Sequence, residues 1–307
     1  MNKIFILLGP TASGKSKLSY KLANDFDFEI INADLFSIYK HLDIGTAKPS
    51  KDKFNKYRHF LFDKLEPNES YNVSKYCFDV LAVIKDIIER KKIPLIVGGT
   101  MMYAFQLLNG INHTYNNSDG DSNLIKFIQE KYSNVDILNS IKSYDEKLVE
   151  KITINDSFRI EKLLERLLSV EKLNQEDFNG LYHNKKFSVF VLFIDVDDRN
   201  HLRENIKKRT YDMLSNGLIE EVEALIKKYD LTKNSQSMRA IGYKETLEYI
   251  NKKITIDELR DKIIVSTQQL AKRQITWKNK FKINYPIIYP KLNYTNLSKY
   301  ISEILKT

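Results

Sequence analysis

The sequence is poor in cysteine, in long apolar runs and in acidic relative to basic residues. Its 307 residues include one cysteine, Cys77, which excludes an internal disulfide and a cysteine-cluster metal site. Cys77 falls in an apolar helical stripe, which predicts a core position. Only two residues precede the first apolar segment, and that run is too short for a secretory signal or a membrane span. We therefore expect a soluble, cytoplasmic protein that acts as a monomer and has no membrane partner.

The charge balance is basic. The chain has 49 Lys and Arg residues against 40 Asp and Glu, a formal net charge of +9. Such an excess suits a polyanionic partner, although a generally lysine-rich composition of the source would give the same number. With 42% hydrophobic residues the chain can build a sizeable core. No internal repeat is visible.

The segment that organises the chain fits the pattern G-x-x-x-x-G-K-S/T of a phosphate-binding loop. It follows an apolar run that predicts a strand and precedes a predicted helix. Its two glycines let successive amides point at an anion, its lysine adds a full charge and its serine hydroxyl can hold Mg²⁺. The alternative is a glycine-containing turn. The predicted diphosphate-binding residues are Gly9, Pro10, Thr11, Ala12, Ser13, Gly14, Lys15 and Ser16, the last being the metal residue.

Further short apolar runs alternate with helical patterns, which predicts an α/β fold with a parallel sheet around the phosphate loop. Asp34 follows the run 29–33, so we expect it at the ligand-facing edge of the sheet, or as a helix cap. Gly98, Gly99 and Thr100 follow the run 93–97 and permit a close approach to a ligand. The run 187–194 ends in Asp195, which could hold Mg²⁺ or cap the next helix.

The middle of the chain has a different character. Residues 113–123 are almost free of apolar residues and predict a loop, and helical patterns follow to residue 173. Asp156 is the predicted cap of a helix with Leu163, Leu164, Leu167 and Leu168 on one side. The basic residues of that helix could equally form a solvated face. The sequence predicts an inserted helical domain at 113–186 and a core domain at 1–112 and 187–307.

The carboxyl-terminal third is rich in cations. Arg209 lies on a basic helix that could deliver it to a leaving diphosphate. Between Lys272 and Lys282 there are five cations, no acids and two aromatic residues, a composition that suits single-stranded RNA. The alternative is a solvated helix end with Trp277 in the core.

Several segments resemble the tRNA dimethylallyltransferase family over most of the chain and in the same order. They are the phosphate loop, DIGTAKP at 43–49, IP at 93–94 with VGGT at 97–100, AIGYKE at 240–245 and AKRQITW at 271–277. The resemblance implies transfer of a dimethylallyl group from dimethylallyl diphosphate, with Mg²⁺, to N6 of the adenosine on the 3′ side of the anticodon. The implied partner is the tRNA anticodon stem-loop.

The resemblance also implies residue roles. Asp34 would be the general base, Thr100 would hold the base and the donor oxygen, and Arg209 would join Lys15 at the leaving diphosphate. The implied tRNA contacts are Asp34, Leu35, Phe36, Ser37, Thr100, Phe158, Arg159, Ile160, Glu161, Lys162, Arg239, Ala240, Ile241, Gly242, Tyr243, Lys244, Lys272, Arg273, Gln274, Ile275, Thr276, Trp277, Lys278 and Asn279.

The chain departs from the family pattern at a few positions. Leu35, Phe36 and Ser37 stand where the family usually has Ser-Met-Gln, and Ser37 is too short for the bidentate base contact of a glutamine. Asn205 replaces a usual arginine.

Two other hypotheses for the function are a small-molecule kinase that uses the loop for ATP and a tRNA-binding protein without catalysis.

Overall fold

The computed structural model describes residues 1–111, 122–150, 152–168 and 178–307. The chain divides into two compact units. The core unit comprises Met1–Gly110 and Asn179–Thr307, and the insert unit comprises Ile111–Phe178. The predicted domain limits at 113 and 186 stay a prediction. None of the helices in the described residues is both long and apolar enough to cross a bilayer.

A parallel sheet organises the core unit, as predicted. Its strand order is β3-β2-β4-β1-β5-β6. All five neighbouring pairs are parallel. The strands are β1 Asn2–Leu8, β2 Phe28–Asn32, β3 His59–Phe60, β4 Ile93–Gly98, β5 Phe187–Val196 and β6 Tyr285–Tyr289.

Helices cover the sheet because their apolar faces match its apolar strands. Ile4 to Leu8 are completely buried in the central strand, and burying each such side chain contributes about 1.5–3 kcal/mol. Cys77 is fully buried on α3, as predicted. The helices of this unit are α1 Lys15–Asp25, α2 Lys51–Lys56, α3 Val73–Glu89, α4 Met101–Asn109, α8 Arg199–Ser215, α9 Leu218–Tyr229, α10 Tyr243–Ile250, α11 Ile256–Trp277 and α12 Tyr294–Lys306.

The strand order creates a crevice at the carboxyl end of β1. From β1 the chain first builds the side of the sheet that contains β4 and β2, and later returns to place β5 on the other side. Ligands of open α/β sheets bind where the direction of winding reverses in this way. The phosphate loop starts at this point.

Two aspartates near the end of β5 have different roles, and Asp195 has neither of the two considered for it. Asp195 forms an ion pair with Lys278, so it neither caps α8 nor stands free for a metal. The cap is Asp198, whose carboxylate accepts hydrogen bonds from the amides of Asn200 and His201 at 2.9 and 3.0 Å.

The insert unit contains the helices α5 Ser122–Lys131, α6 Asn134–Tyr144 and α7 Ser157–Leu168. The Asp156 carboxylate accepts the Arg159 amide at 3.1 Å, so the predicted cap is present. Leu163 and Leu164 are buried as expected, whereas Leu167 is 39% exposed because it turns away from the small core. Most of the predicted loop at 113–123 lies outside the described residues, but Ser122 already belongs to α5.

Candidate active site

A cavity of about 450 Å³ opens at the carboxyl ends of β1, β2 and β4. Segments of the core unit that are far apart in the sequence form its walls, including the helices α8 and α11. Its lining includes Thr11, Ala12, Ser13, Gly14, Lys15, Ser16, Asn32, Asp34, Phe36, Ser37, Thr46, Gly98, Gly99, Lys208, Arg209, Ile263, Thr267, Leu270 and Gln274.

The phosphate loop turns from β1 into α1 through Gly14. Its φ of 82° lies in the left-handed region, which a glycine adopts without strain. Lys15, the first residue of the helix, donates from Nζ to the carbonyl oxygens of Gly9 and Pro10 at 2.8 and 2.7 Å. Its charge is therefore held over the loop at the mouth of a helix N-terminus, which favours an anion.

The surroundings of Lys15 disfavour its charged form. Burial lowers the pKa of Lys15 to about 7, with a further lowering by Arg209, while the Asp34 carboxylate acts in the opposite direction. Burial also lowers the pKa of Arg209, and Asp34 again opposes the shift. Two partly desolvated cations and one carboxylate thus share the cavity. An anion bound between the cations would favour their charged forms.

Arg209 reaches the loop from α8. Its guanidinium donates to Thr11 Oγ1 at 3.3 Å and to the carbonyl oxygen of Thr46 at 3.4 Å. The structure thus places the predicted leaving-group arginine directly beside the predicted diphosphate loop.

Asp34 is fixed by a residue that sequence reasoning did not single out. The buried Asn32 amide accepts a hydrogen bond from the Asp34 N–H and donates one to the Asp34 carbonyl, both at 2.9 Å. A polar residue ending an apolar run two positions before Asp34 was the available signal. Asp34 Oδ1 also accepts the Phe36 amide at 3.3 Å, at the start of the 3-10 turn Phe36–Ile38.

Thr100 orients the same segment. Its Oγ1 accepts the Leu35 amide at 2.9 Å, so the β4 and β2 ends are connected by a direct hydrogen bond. Asp34 and Thr100 are therefore neighbours in the fold, as the resemblance implied, although the hydroxyl proton of Thr100 remains available to another acceptor.

Gln274 is buried in the wall of the cavity, and its implied contact with tRNA stays a prediction. Only 5% of the residue is exposed, and its side chain points into the site from α11. Its Oε1 accepts the Thr11 amide at 2.7 Å and its Nε2 donates to the Gly99 carbonyl at 2.8 Å. A Cβ at Gly99 would lie 2.5 Å from Nε2, so this glycine is needed for the contact.

The 43–49 turn is anchored by Glu221 of α9, which sequence reasoning also missed. The Glu221 carboxylate accepts the amides of Asp43, Ile44 and Gly45 at 3.1, 2.8 and 3.4 Å. It also accepts the phenolic hydroxyl of Tyr243 at 2.5 Å. No local pattern marks an acid on a solvated helix as an anchor for a distant turn.

The implied tRNA residues differ in exposure and fall into buried, half-buried and exposed groups. Ile160, Ala240, Gly242, Tyr243 and Gln274 are buried, and Ser37 is 4% exposed although it lines the cavity. The side chains of Ile160 and Tyr243 are buried, whereas Ala240 and Gln274 are buried but line the cavity, and the tRNA contacts of these residues stay predictions. The side chain of Lys162 lies outside the described residues. Exposed residues are Phe158, Arg159, Arg239, Lys244, Lys272, Arg273, Thr276 and Asn279, and half-buried ones are Leu35, Phe36, Glu161, Ile241, Ile275, Trp277 and Lys278.

Trp277 is neither fully buried nor fully exposed. Its ring makes an edge contact with Phe105 at a centroid distance of 5.8 Å, and Lys280 Nζ lies 4.3 Å from the ring centroid. The residue is half-buried, so one face packs on the core unit.

Comparison with known proteins identifies the family. The family model described as "IPP transferase" matches residues 37–281. The chain belongs to the IPP transferase family. A tRNA dimethylallyltransferase from Thermoanaerobacter sp. (strain X514) is 35% identical over 311 residues, 99% of this chain and 97% of that protein. One from Caldanaerobacter subterraneus is 36% identical over 282 residues, 90% of this chain and 88% of that protein.

Solved structures of IPP transferases share the fold. The tRNA delta(2)-isopentenylpyrophosphate transferase of Staphylococcus epidermidis is 30% identical, with a TM-score of 0.70 and coverage of 100% of both chains. A eukaryotic dimethylallyltransferase acting on tRNA is 23% identical, with a TM-score of 0.78 over 99% of this chain and 80% of that one, and shows likeness of fold. The α/β prediction is confirmed, and the family supports prenyl transfer over the kinase hypothesis.

Proposed function

We propose that this protein transfers a dimethylallyl group from dimethylallyl diphosphate to N6 of the adenosine on the 3′ side of a tRNA anticodon. The observation that carries the proposal is the meeting of Lys15, Arg209 and Asp34 at one cavity. Two cations suit a diphosphate, and a carboxylate opposite them suits an amine that must lose a proton. A kinase could use the same carboxylate as a base, so the family match is what favours prenyl transfer over that alternative.

In the proposed reaction the bond between C1 of the dimethylallyl group and the diphosphate oxygen breaks, and a bond between N6 and C1 forms. Diphosphate leaves with the bonding electrons, and its charge is spread over Lys15, Arg209 and the loop amides. The N6 proton passes to the Asp34 carboxylate. Asn32 and Thr100 hold the segment that carries Asp34.

Mg²⁺ fits this site through a small number of protein ligands. Ser16 lines the cavity, and the described residues contain no cluster of three or more His, Cys, Asp or Glu side chains. Mg²⁺ keeps most of its waters and commonly binds phosphate oxygens with one or two protein oxygens. The Ser16 hydroxyl would hold the ion against the donor, where it supplies neutralising charge to the diphosphate.

The acceptor must enter the cavity as an unstacked base, since N6 cannot reach Asp34 from within a stacked anticodon loop. The exposed cations of the 272–282 segment support an RNA partner, and we propose the anticodon stem-loop. We further propose that the enzyme acts as a monomer in the cytoplasm.

The direct test is transfer of labelled dimethylallyl diphosphate, with Mg²⁺, to unmodified tRNA that carries this adenosine. We expect labelled N6-isopentenyladenosine from the natural sequence and loss of at least 10²-fold for Asp34→Asn, as is typical for a general base. A tRNA with guanosine at that place controls for the acceptor. Binding of tRNA without any transfer would support the non-catalytic hypothesis.

Arg209→Ala tests the leaving-group contact. We expect transfer to slow by about 10²-fold or more, because one preorganised charge on the diphosphate is lost. Lys207→Ala is the matched control on the same helix, since Lys207 pairs with Glu204 at 2.8 Å. Equal rates for the two variants would remove Arg209 from the site.

A further inference from the structure

A second groove of about 310 Å³ lies along the seam between α8 and α11. It is formed by residues of one face of each helix, and of its lining only Ile206 also lines the active-site cavity. Its lining is Arg199, Leu202, Arg203, Ile206, Val265, Gln268, Gln269, Ala271, Lys272, Ile275 and Thr276.

The groove combines an apolar floor with a cationic rim. Leu202, Ile206 and Ala271 are buried at its base, and Val265 stands 50% exposed at its side. Arg199, Arg203 and Lys272 are exposed at the rim. The side-chain amides of Gln268 and Gln269 add hydrogen-bond donors and acceptors between floor and rim.

The rim cations differ from other cations of the same two helices. Within the described part of the chain, Arg199, Arg203 and Lys272 form no ion pair. Each of three others has an acidic partner: Lys207 with Glu204 at 2.8 Å, Arg260 with Asp257 at 2.7 Å and Lys262 with Glu248 at 2.6 Å. The groove therefore concentrates uncompensated positive charge, which attracts a polyanion.

We propose that this groove binds a single-stranded segment of the tRNA substrate. Arg199, Arg203 and Lys272 contact its phosphates, and an unstacked base lies on the apolar floor within reach of the glutamine amides. The inference rests on the proposed function, because it assumes that RNA is the acceptor. It adds α8 to the RNA surface, which sequence reasoning placed on residues 34–37, 100, 158–162, 239–244 and 272–279.

Continuity with the basic tail favours RNA over another polyanion. Lys272 and Thr276 line the groove and belong to the basic segment 272–282, in which Lys272, Arg273, Lys280 and Lys282 are exposed. A strand that follows these cations would pass from the groove along the end of α11. The volume is also in the range of sites that hold a small ligand, such as a nucleotide.

The double variant Arg199→Gln and Arg203→Gln tests the rim. We expect the KM for tRNA to rise by about tenfold while affinity for dimethylallyl diphosphate is unchanged. The slope of log affinity against log salt should fall by about 1.4, because each single-strand phosphate contact contributes about 0.7. Lys207→Gln removes the same type of charge from the same helix outside the groove, and should leave both values unchanged.

A cross-link tests the floor independently of catalysis. Cys77 is the one cysteine in the sequence and is fully buried, so Val265→Cys introduces a uniquely reactive thiol. A photo-crosslinker on that thiol should capture a loop nucleotide of the tRNA, and the capture should weaken when both rim arginines are glutamine.

The outcomes separate the two proposals. Unchanged tRNA affinity of the rim variant, or a cross-linker that captures no RNA, would overturn the groove even if transfer is robust. Capture that resists the rim substitutions would also overturn it, because it would reflect exposure alone. Capture of tRNA by a protein that transfers no prenyl group would preserve the groove and overturn the proposed function.

Discussion

At the scale of single residues, the charge of Lys15 depends on its surroundings. Its pKa is about 7, and the groups that move it are the same ones that serve the proposed reaction. A donor diphosphate binds the protonated form. The affinity of the free enzyme for dimethylallyl diphosphate should therefore fall as the pH rises through 7.

The pH dependence can be shifted in both directions. Arg209→Gln removes a cation that lowers the pKa of Lys15, so the loss of donor affinity should move to higher pH. Asp34→Asn removes the carboxylate that raises it, so the loss should move to lower pH. Calorimetric titration of donor binding between pH 6 and 9 measures both. Shifts of equal sign in the two variants would contradict this electrostatic account.

Tyr243 is a residue whose burial changes its expected role. Tyr243→Phe removes the hydroxyl donated to Glu221 and should lower the free energy of unfolding by about 1 kcal/mol, as for a typical hydrogen bond. Affinity for tRNA should be unchanged, because the ring is fully buried. Urea unfolding and tRNA binding measure the two effects, and weaker tRNA binding at full stability would restore the role implied by resemblance.

At the scale of elements, Gln274 of α11 connects the basic segment 272–282 to the phosphate loop through its hydrogen bond to Thr11. Gln274→Met nearly keeps the volume but leaves the Thr11 amide and the Gly99 carbonyl without their partner. Leaving a buried polar group unpaired costs about 1–3 kcal/mol. We expect a lower unfolding temperature, a higher KM for the donor and a kcat reduced about tenfold.

Gln274→Glu is the matched control for this contact. It keeps the acceptor for the Thr11 amide but loses the donor to Gly99 and adds a negative charge beside the diphosphate loop. It should therefore weaken donor binding more than Gln274→Met. If both variants bind the donor normally and lose only tRNA, Gln274 is an RNA contact after all.

At the scale of the whole molecule, all residues that line the active-site cavity belong to the core unit. The two ends of the core unit that flank the insert lie close together. A Cβ at Gly180 would lie 2.3 Å from the Gly110 nitrogen. Joining residue 110 to 179 through a short linker should therefore preserve the sheet and its binding of dimethylallyl diphosphate. We expect transfer to tRNA to fall, because the insert carries the implied contacts Phe158 and Arg159.

Circular dichroism and donor calorimetry on the shortened chain check this prediction. An unfolded product would mean that the core unit needs residues 111–178 for its stability. Full transfer activity would instead remove the insert from the list of tRNA-binding elements.

Local sequence patterns predicted the strands β1, β2, β4 and β5, but not the edge strands β3 and β6. The loop 9–16, the alternation of strands and helices and the position of Asp34 after a strand all follow from local patterns, because backbone geometry and side-chain periodicity act over a few residues. The family segments reached further and named the chemistry. The roles of the site residues stay predictions, which the variants above test.

Contacts between residues far apart in the sequence became visible in the folded structure. Arg209 meets Thr11 across 198 residues and Gln274 meets it across 263, so no local pattern could distinguish these side chains from their solvated neighbours. The helical repeat puts Gln274 inward and Lys272 outward, but which direction is inward depends on how α8 and α11 pack on the sheet. The pKa of Lys15 follows from the same packing, since burial and charge neighbours exist only in the folded chain.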